Sequence, residues 1–293
     1  MDLDLAYFDG TVSICIASYN MVDTIEESLE TITKDLPEHF EIVIVDQSND
    51  GSKEIIDDIV SNSDIQFKKC YFDQPLGVAR ARNIALREAT GDLVITHVDV
   101  DDWYDSRYFV ALSELYEIIK EKRGEDFFFD CPNMNISSRE HMVENYTIPS
   151  LPIGATGTTF RWRAHRNGDY LGLKVEKDIT GRIKLSERKT GYSRMRRTYL
   201  RYLGLYKIGY DTRRIFKDII QSTRWPLHSR IFRLVILPIV WVHSLFVTKV
   251  YDLPIDGKEL DEITEESLYS FEELKQKYDI NEEILLDVLL DQE

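Results

Sequence analysis

Alternation of short apolar runs with helical repeats over the first ~130 residues constrains this chain more than any other feature. The runs VSICIA (12–17), EIVIV (41–45), IQFKKCYF (65–72), LVITHV (93–98) and DFFFDC (126–131) have strand character. The segments between them place apolar residues at helical spacing. The first does so with Ile25, Leu29, Ile32 and Leu36, and Asp23, three residues before Glu26, predicts its cap. Residues 51–60, 76–89 and 106–120 repeat the pattern, the second starting near Gly77. Strands spaced by single helices imply an α/β fold with a mostly parallel sheet flanked by helices. Ligands of such sheets sit beyond the carboxyl ends of the strands. Those ends carry Ser18-Tyr19-Asn20, Asp46-Gln47-Ser48 and Asp99-Val100-Asp101-Asp102, so polar groups are expected to converge on one edge.

The last group lies in THVDVDDWYD, which holds four aspartates in seven positions. Carboxylates gathered at a strand end repel one another unless they share a cation or a proton. Asp99 and Asp101 are two apart and both reach the strand end if the chain turns there. Their hard oxygens suit Mg²⁺ or Mn²⁺, which take few protein carboxylates and complete the shell with water and phosphate oxygens. The implied ligand is a diphosphate. Asp105 reads as the cap of the next helix, and His97 as a hydrogen-bonded core histidine.

Four segments, VSICIASYN, EIVIVDQSNDGS, PLGVARARNIAL and GDLVITHVDVDDWYD, in this order and at these separations, resemble the N-terminal half of family-2 glycosyltransferases. The resemblance covers residues 11–115. It implies a GT-A fold (Rossmann-like) and inverting transfer of a hexosyl group from a nucleotide-diphosphate donor, a UDP-sugar being favoured, with Mg²⁺ or Mn²⁺. It also implies roles. Ala17, Tyr19 and Asn20 belong to a loop against the nucleoside, and Asp46 hydrogen-bonds the base. Asp50-Gly51-Ser52 matches a turn after the second strand. Gly77, Arg80 and Asn83 belong to a helix near the donor, with Arg82 directly preceding Asn83. Asp99 lies near the ribose with Val100 beside the nucleotide, and Asp101, with Asp99, holds the metal; Asp102 adjoins them. The family's general base falls in GDYLGLKVEKDITGRIKL, where Glu176 and Asp178 are the candidates and Asp169 a third choice. That match is loose because Lys177 intervenes. A lipid phosphate acceptor, being already anionic, would need no strong base.

The second half reads differently. The net charge of −16 is segregated into about −19 over residues 1–160, about +15 over 161–251 and about −12 over 252–293. The basic block needs an anionic partner or an acidic neighbour within the chain. Residues 156–184 read as short strands and turns, and 193–218 as helical. The apolar run 234–247, interrupted by Pro238 and His243, is shorter than the ~20 residues of a membrane span. With Trp225, Arg230, Arg233, Trp241 and Lys249 around it, it suits a helix lying in a membrane interface, although a buried core helix would have the same length. Ser270 with Glu273 forms a capping box in the acidic tail, and Asn281 is placed to cap a last helix. The expected organisation is a transferase domain over 1–190, with a donor half (11–115) and an acceptor half (116–190). A basic amphipathic region at the membrane interface (191–252) and an acidic helical tail (253–293) complete it.

The acidic N-terminus, MDLDLAYFDG, predicts no secretory signal. Cys15, Cys70 and Cys131 match no metal or redox spacing and read as buried thiols in a reducing compartment. No G-x-G-x-x-G follows the first strand, which disfavours a nicotinamide dehydrogenase. The acidic first half and the absence of an RNA or DNA motif argue against nucleic acid. The expected function is metal-dependent glycosyl transfer to a glycan, lipid or polyprenyl-phosphate acceptor by a cytoplasmic protein peripheral to the inner face of the cell membrane, in surface polysaccharide, glycoprotein or glycolipid synthesis. The alternatives are a nucleotide-sugar-binding protein without turnover and a membrane-surface binding module.

Overall fold

A computed structural model describes residues 10–131, 134–148, 156–174, 180–182, 191–207, 210–221, 227–246 and 267–280. The chain forms two compact units. The first comprises residues 1–147, 164–184 and 267–293, the second residues 148–163 and 185–266.

The first unit is built on strands β1 (Val12–Ser18), β2 (Phe40–Asp46), β3 (Gln66–Tyr71), β4 (Leu93–Val98), β6 (Phe128–Cys131), β7 (Met134–Ser138), β8 (Tyr170–Leu173) and β10 (Leu268–Tyr269). Their order in the sheet is β10-β8-β6-β7-β4-β1-β2-β3. Only β7 runs antiparallel to its neighbours, pairing Leu93 with Ser138 and Phe129 with Ile136. The central strands are nearly continuous β-branched runs because helices cover both faces. Helices α1 (Ile25–Thr33) and α2 (Ser52–Ser61) cross over in the same direction. α3 (Val78–Glu88) returns from β3 to β4 and packs on β1 and β2. Right-handed crossovers therefore put α3 on the opposite face from α1 and α2. The long α4 (Ser106–Arg123) turns Tyr108, Leu112, Leu115, Tyr116 and Ile119 into the same core as Ile14, Ile44 and Ile95.

Several local expectations change. α1 starts with Thr24 at its N-cap and no side-chain cap. Met21 O accepts the Ile25 N–H, and the N-cap position falls to Thr24 rather than to Asp23. Residues 156–167, expected as strand and turn, form helix α6 (Thr156–Asn167) after the short α5 (Arg139–Asn145). Burial of Phe160 and Ala164, four apart, outweighs the strand preference of the threonine-rich start. Cys15 and Cys131 are buried free thiols whose pKa burial raises, whereas Cys70 is only half-buried on β3, the edge strand. At the other edge, the acidic tail supplies β10 and α10 (Phe271–Tyr278), which begins in the expected Ser270–Glu273 capping box. Phe271, Leu274 and Ile280 join the main core; Asn281 lies outside the described residues.

The second unit contains α7 (Gly191–Lys207), α8 (Thr212–Gln221) and α9 (Leu227–Ser244). Tyr202, Leu203, Tyr206, Ile215, Ile219, Ile236, Leu237 and Val240 form its core. Pro238 lies inside α9, and no helix among the described residues is long and apolar enough to cross a membrane.

Candidate active site

The carboxyl ends of β1, β2 and β4 form one edge of the sheet, and the expected polar groups do meet there. Register pairs Ser18 with Asp46, and the Gln47 N–H donates to Ser18 O at 3.2 Å. Asn20, in the left-handed region at φ 53°, bridges the two loops. Its N–H donates to Ser48 Oγ at 2.7 Å, and its Oδ1 accepts the Asn49 N–H at 3.1 Å. Tyr19 stands exposed beside it and Ala17 is half-buried.

Asp46 is fully buried. Its Oδ1 accepts the Ser48 N–H at 2.9 Å and its Oδ2 accepts the Ser48 hydroxyl at 2.7 Å. Each oxygen keeps a second acceptor site, but with Asp46 fully buried a base would reach it only if Ser48 moved aside. Asp50 ties the turn below: Oδ2 accepts the Val22 N–H and Oδ1 accepts the Ser52 N–H and hydroxyl. Burial alone would raise its pKa, but those hydrogen bonds outweigh it and hold the carboxyl below its usual value. Gly51, at φ 95°, supplies the left-handed cap of α2. Gln47 has no role in the sequence reading. In the fold its Oε1 accepts the N–H groups of both Leu76 and Gly77, anchoring the loop that enters α3. Gly77, at φ 85°, makes the turn there.

The approach to the aspartates depends on a bulge. β4 pairs Ile95 with Ile14 but Val98 with Ile16, so it carries one extra residue against β1. His97 sits in that bulge at φ 68°, half-buried. The extra residue reverses the side-chain alternation, so Val98 shares the face of Ile95 and Asp99 does not follow the parity a regular strand would give it. The chain then turns: the Asp102 N–H donates to Asp99 O at 3.1 Å, the Asp99 N–H donates to the Tyr104 hydroxyl at 3.1 Å, and Ser28 Oγ donates to Asp102 O at 2.8 Å. Val100 is buried in the core beneath this turn, while Asp99 and Asp101 are partly exposed above it. Asp105 caps α4 as expected, accepting the Arg107 N–H at 3.0 Å.

The helix α3 brings an arginine to the aspartates. Arg82 Nη2 lies 2.5 Å from Asp99 Oδ1, with 10% of the Arg82 side chain and 47% of the Asp99 side chain exposed. Arg80 lies on the exposed side of α3, and Asn83 is half-buried on the inner side. Sequence reasoning named Arg82 only as the neighbour of Asn83 and gave it no role. Its signal was helical spacing, because Ala79, Arg82 and Leu86 recur on the buried face, from which Arg80 is about 200° away.

The base candidates Glu176 and Asp178 lie outside the described residues. The chain leaves the sheet after Leu173 and is next described in β9 (Thr180–Arg182), which pairs antiparallel with β5 (Asp102–Tyr104), Thr180 opposite Tyr104. Asp169 is at the wrong end of the sheet. It precedes β8, where Tyr170 pairs with Phe128 at the start of β6. There it accepts hydrogen bonds from the Tyr146 hydroxyl and contacts His141 Nε2 at 2.8 Å.

Among the described residues no group of three or more His, Cys, Asp or Glu side chains is arranged to hold a metal ion. Asp99 and Asp101 instead offer the two hard oxygen donors that suit Mg²⁺ or Mn²⁺ when diphosphate and water complete the shell.

Strand-end carboxylates on an open, mostly parallel sheet with helices on both faces define a Rossmann-like α/β protein, the architecture to which GT-A folds belong. The chain belongs to glycosyl transferase family 2, whose model matches residues 13–204. The glycosyltransferase GlyA of Streptococcus pneumoniae is 30% identical over 119 residues, covering 40% of this chain and 16% of that protein. WfaP of Escherichia coli, a UDP-Glc:alpha-D-GlcNAc-diphosphoundecaprenol beta-1,3-glucosyltransferase, is 38% identical over 94 residues, covering 32% of this chain and 36% of the relative. The matches thus span well under two thirds of these relatives' lengths. The mannosyltransferase PcManGT of Pyrobaculum calidifontis, solved with GDP-Man and Mn²⁺, shares the fold at TM-score 0.52 and 17% identity, over 98% of this chain and 89% of that one. TarS residues 1–349 of S. aureus, solved with UDP-GlcNAc, gives TM-score 0.50 at 16% identity, over 80% and 81%.

Proposed function

We propose that this family-2 glycosyltransferase is an inverting, metal-dependent hexosyltransferase that takes a sugar from a nucleotide-diphosphate donor, favouring UDP-sugars, to a glycan, lipid or polyprenyl-phosphate acceptor at the inner face of the cell membrane. The observation that carries the reading is the convergence of Asn20, Asp46, Asp99 and Asp101 on one strand edge, with Arg82 holding Asp99. Residues 11–115 form the donor half and 116–190 the acceptor half. Asp46 accepts a base N–H once Ser48 turns away. Asp99, its second oxygen free of Arg82, accepts from a ribose hydroxyl, as strand-end acids do in dinucleotide folds. Asp101, with Asp99, holds the cation. When bound, Mg²⁺ or Mn²⁺ offsets the charge that grows on the departing diphosphate. For a hydroxyl acceptor, Glu176 or Asp178 removes the proton. A polyprenyl phosphate arrives as an anion, and the basic block favours its approach. Titration calorimetry with UDP, GDP and CDP, each with and without Mn²⁺, tests the reading. One nucleotide is expected to bind in a metal-dependent way that Asp101→Ala abolishes. Absence of binding to all three, with metal, would refute it.

A further inference from the structure

We propose that the outward face of α9, with the adjoining face of α8, is a docking surface that lies in the headgroup region of an anionic bilayer; this rests on the membrane-side acceptor reading above and names the surface responsible. Leu227, Ile231, Val235, Ile239, Val242 and Phe246 recur three or four residues apart and are 71%, 54%, 65%, 61%, 50% and 83% exposed. Ile236, Leu237 and Val240, on the other side of α9, fill the core of the second unit. A helix apolar on both sides needs a second apolar environment beyond its own core. The face continues onto α8 through Phe216 and Ile220, 48% and 46% exposed. Between the helices an apolar cleft of about 500 Å³ opens beside Phe216 and Trp241.

Charge selects the occupant. Arg213 and Lys217 alternate with Phe216 and Ile220 on the exposed turns of α8, Arg230 of α9 donates to Ile220 O beside them, and α9 contains no acidic residue. Long basic side chains beside an apolar face can lay their stems on it and raise their charges to lipid phosphates. A second copy pairing through the same face would instead bring these cations together. Spanning is disfavoured by length and by Pro238, which leaves α9 lying in the plane of the interface.

The test uses the full chain and vesicles with and without phosphatidylglycerol in phosphatidylcholine. Wild type is expected to cosediment with the anionic vesicles, more weakly at high salt. Its tryptophan emission should be quenched by brominated acyl chains, and Trp241→Phe should reduce that quenching. The double variant I231D/I239D, at exposed positions, should lower the partition coefficient by tenfold or more while leaving metal-nucleotide binding unchanged. R213E should lower it by at least about fivefold, the value of one basic residue near such a surface. Wild-type binding that I231D/I239D leaves intact would overturn the surface assignment and leave the membrane reading standing. Failure of wild type to bind any vesicle would overturn both, with the donor chemistry still read by nucleotide titration. A wild-type dimer that I231D/I239D dissociates, without vesicle binding, would assign the face to a second copy and refute the proposal.

Discussion

The pair between Arg82 and Asp99 allows a prediction with a worked magnitude. Two unit charges ~4 Å apart interact by ~4 kcal/mol at the effective dielectric of a protein surface. The 2.5 Å contact is close, but half of the Asp99 side chain meets water, so screening removes much of this. A single hydrogen bond between charged groups contributes ~1.5–3 kcal/mol, and the lower part of that range applies to a half-exposed carboxylate. A double-mutant cycle of Arg82→Met and Asp99→Ala in urea unfolding should therefore give a coupling of about 1–2 kcal/mol, or roughly 5- to 30-fold in an equilibrium constant. The two single variants should differ. Arg82→Met leaves Asp99 hydrated, whereas Asp99→Ala strands a guanidinium that is nine-tenths buried and whose Nε has no hydrogen-bond partner among the described residues, so it should destabilise more. In metal-nucleotide titration, Arg82→Met should weaken binding about tenfold, because Asp99 loses the group that orients it. Additive effects on stability within ~0.5 kcal/mol would refute the idea that Arg82 positions Asp99.

Other consequences concern the scaffold behind the site. A Cβ on Gly91 would lie 2.6 Å from Ser13 Oγ, 2.7 Å from Ser13 N and 2.9 Å from Thr11 O. Two of these are backbone atoms that cannot swing aside, so Gly91→Ala should cost about 1–3 kcal/mol in urea unfolding. Beside it, buried Glu41 accepts from the Ser13 hydroxyl and from the Thr90 and Gly91 N–H groups. Burial opposes its ionisation, but these bonds prevail and set its folded pKa below the ordinary value of 4.5. The sign follows: its contribution is full above that value and is lost as pH falls through the depressed folded pKa. The stability advantage of wild type over Glu41→Gln should accordingly shrink on acidification below about pH 4.5, as measured by unfolding at stepped pH.

Legibility in the sequence followed the range of the interaction. β1, β2 and β4 were readable because burial on both faces writes itself as β-branched runs, and the crossover helices because one buried face writes itself as helical spacing. The convergence of Asn20, Asp46 and Asp99 then followed from parallel topology alone. α6 was not readable, since its helical state rests on burying Phe160 and Ala164 rather than on its composition. The role of Arg82 was missed because the motif comparison favoured Arg80, although helix geometry separates the two by about 200°.

The least legible feature is also the one on which the site's geometry turns. A period-2 reading of LVITHVD places Ile95, His97 and Asp99 on one face. The bulge at Thr96-His97 breaks that period, and nothing local demands it: histidine tolerates φ 68° better than most residues but does not require it. Its cause lies outside β4. Val98 must fill the core with Ile95, and the Asp99 N–H must meet the Tyr104 hydroxyl five residues later. Backbone strain held by such surrounding contacts is found where side chains must be aimed. Here it frees Asp99 from the face of Ile95 and aims it toward Arg82, so the carboxylates of THVDVDD owe their placement to a register shift against β1 as much as to their spacing.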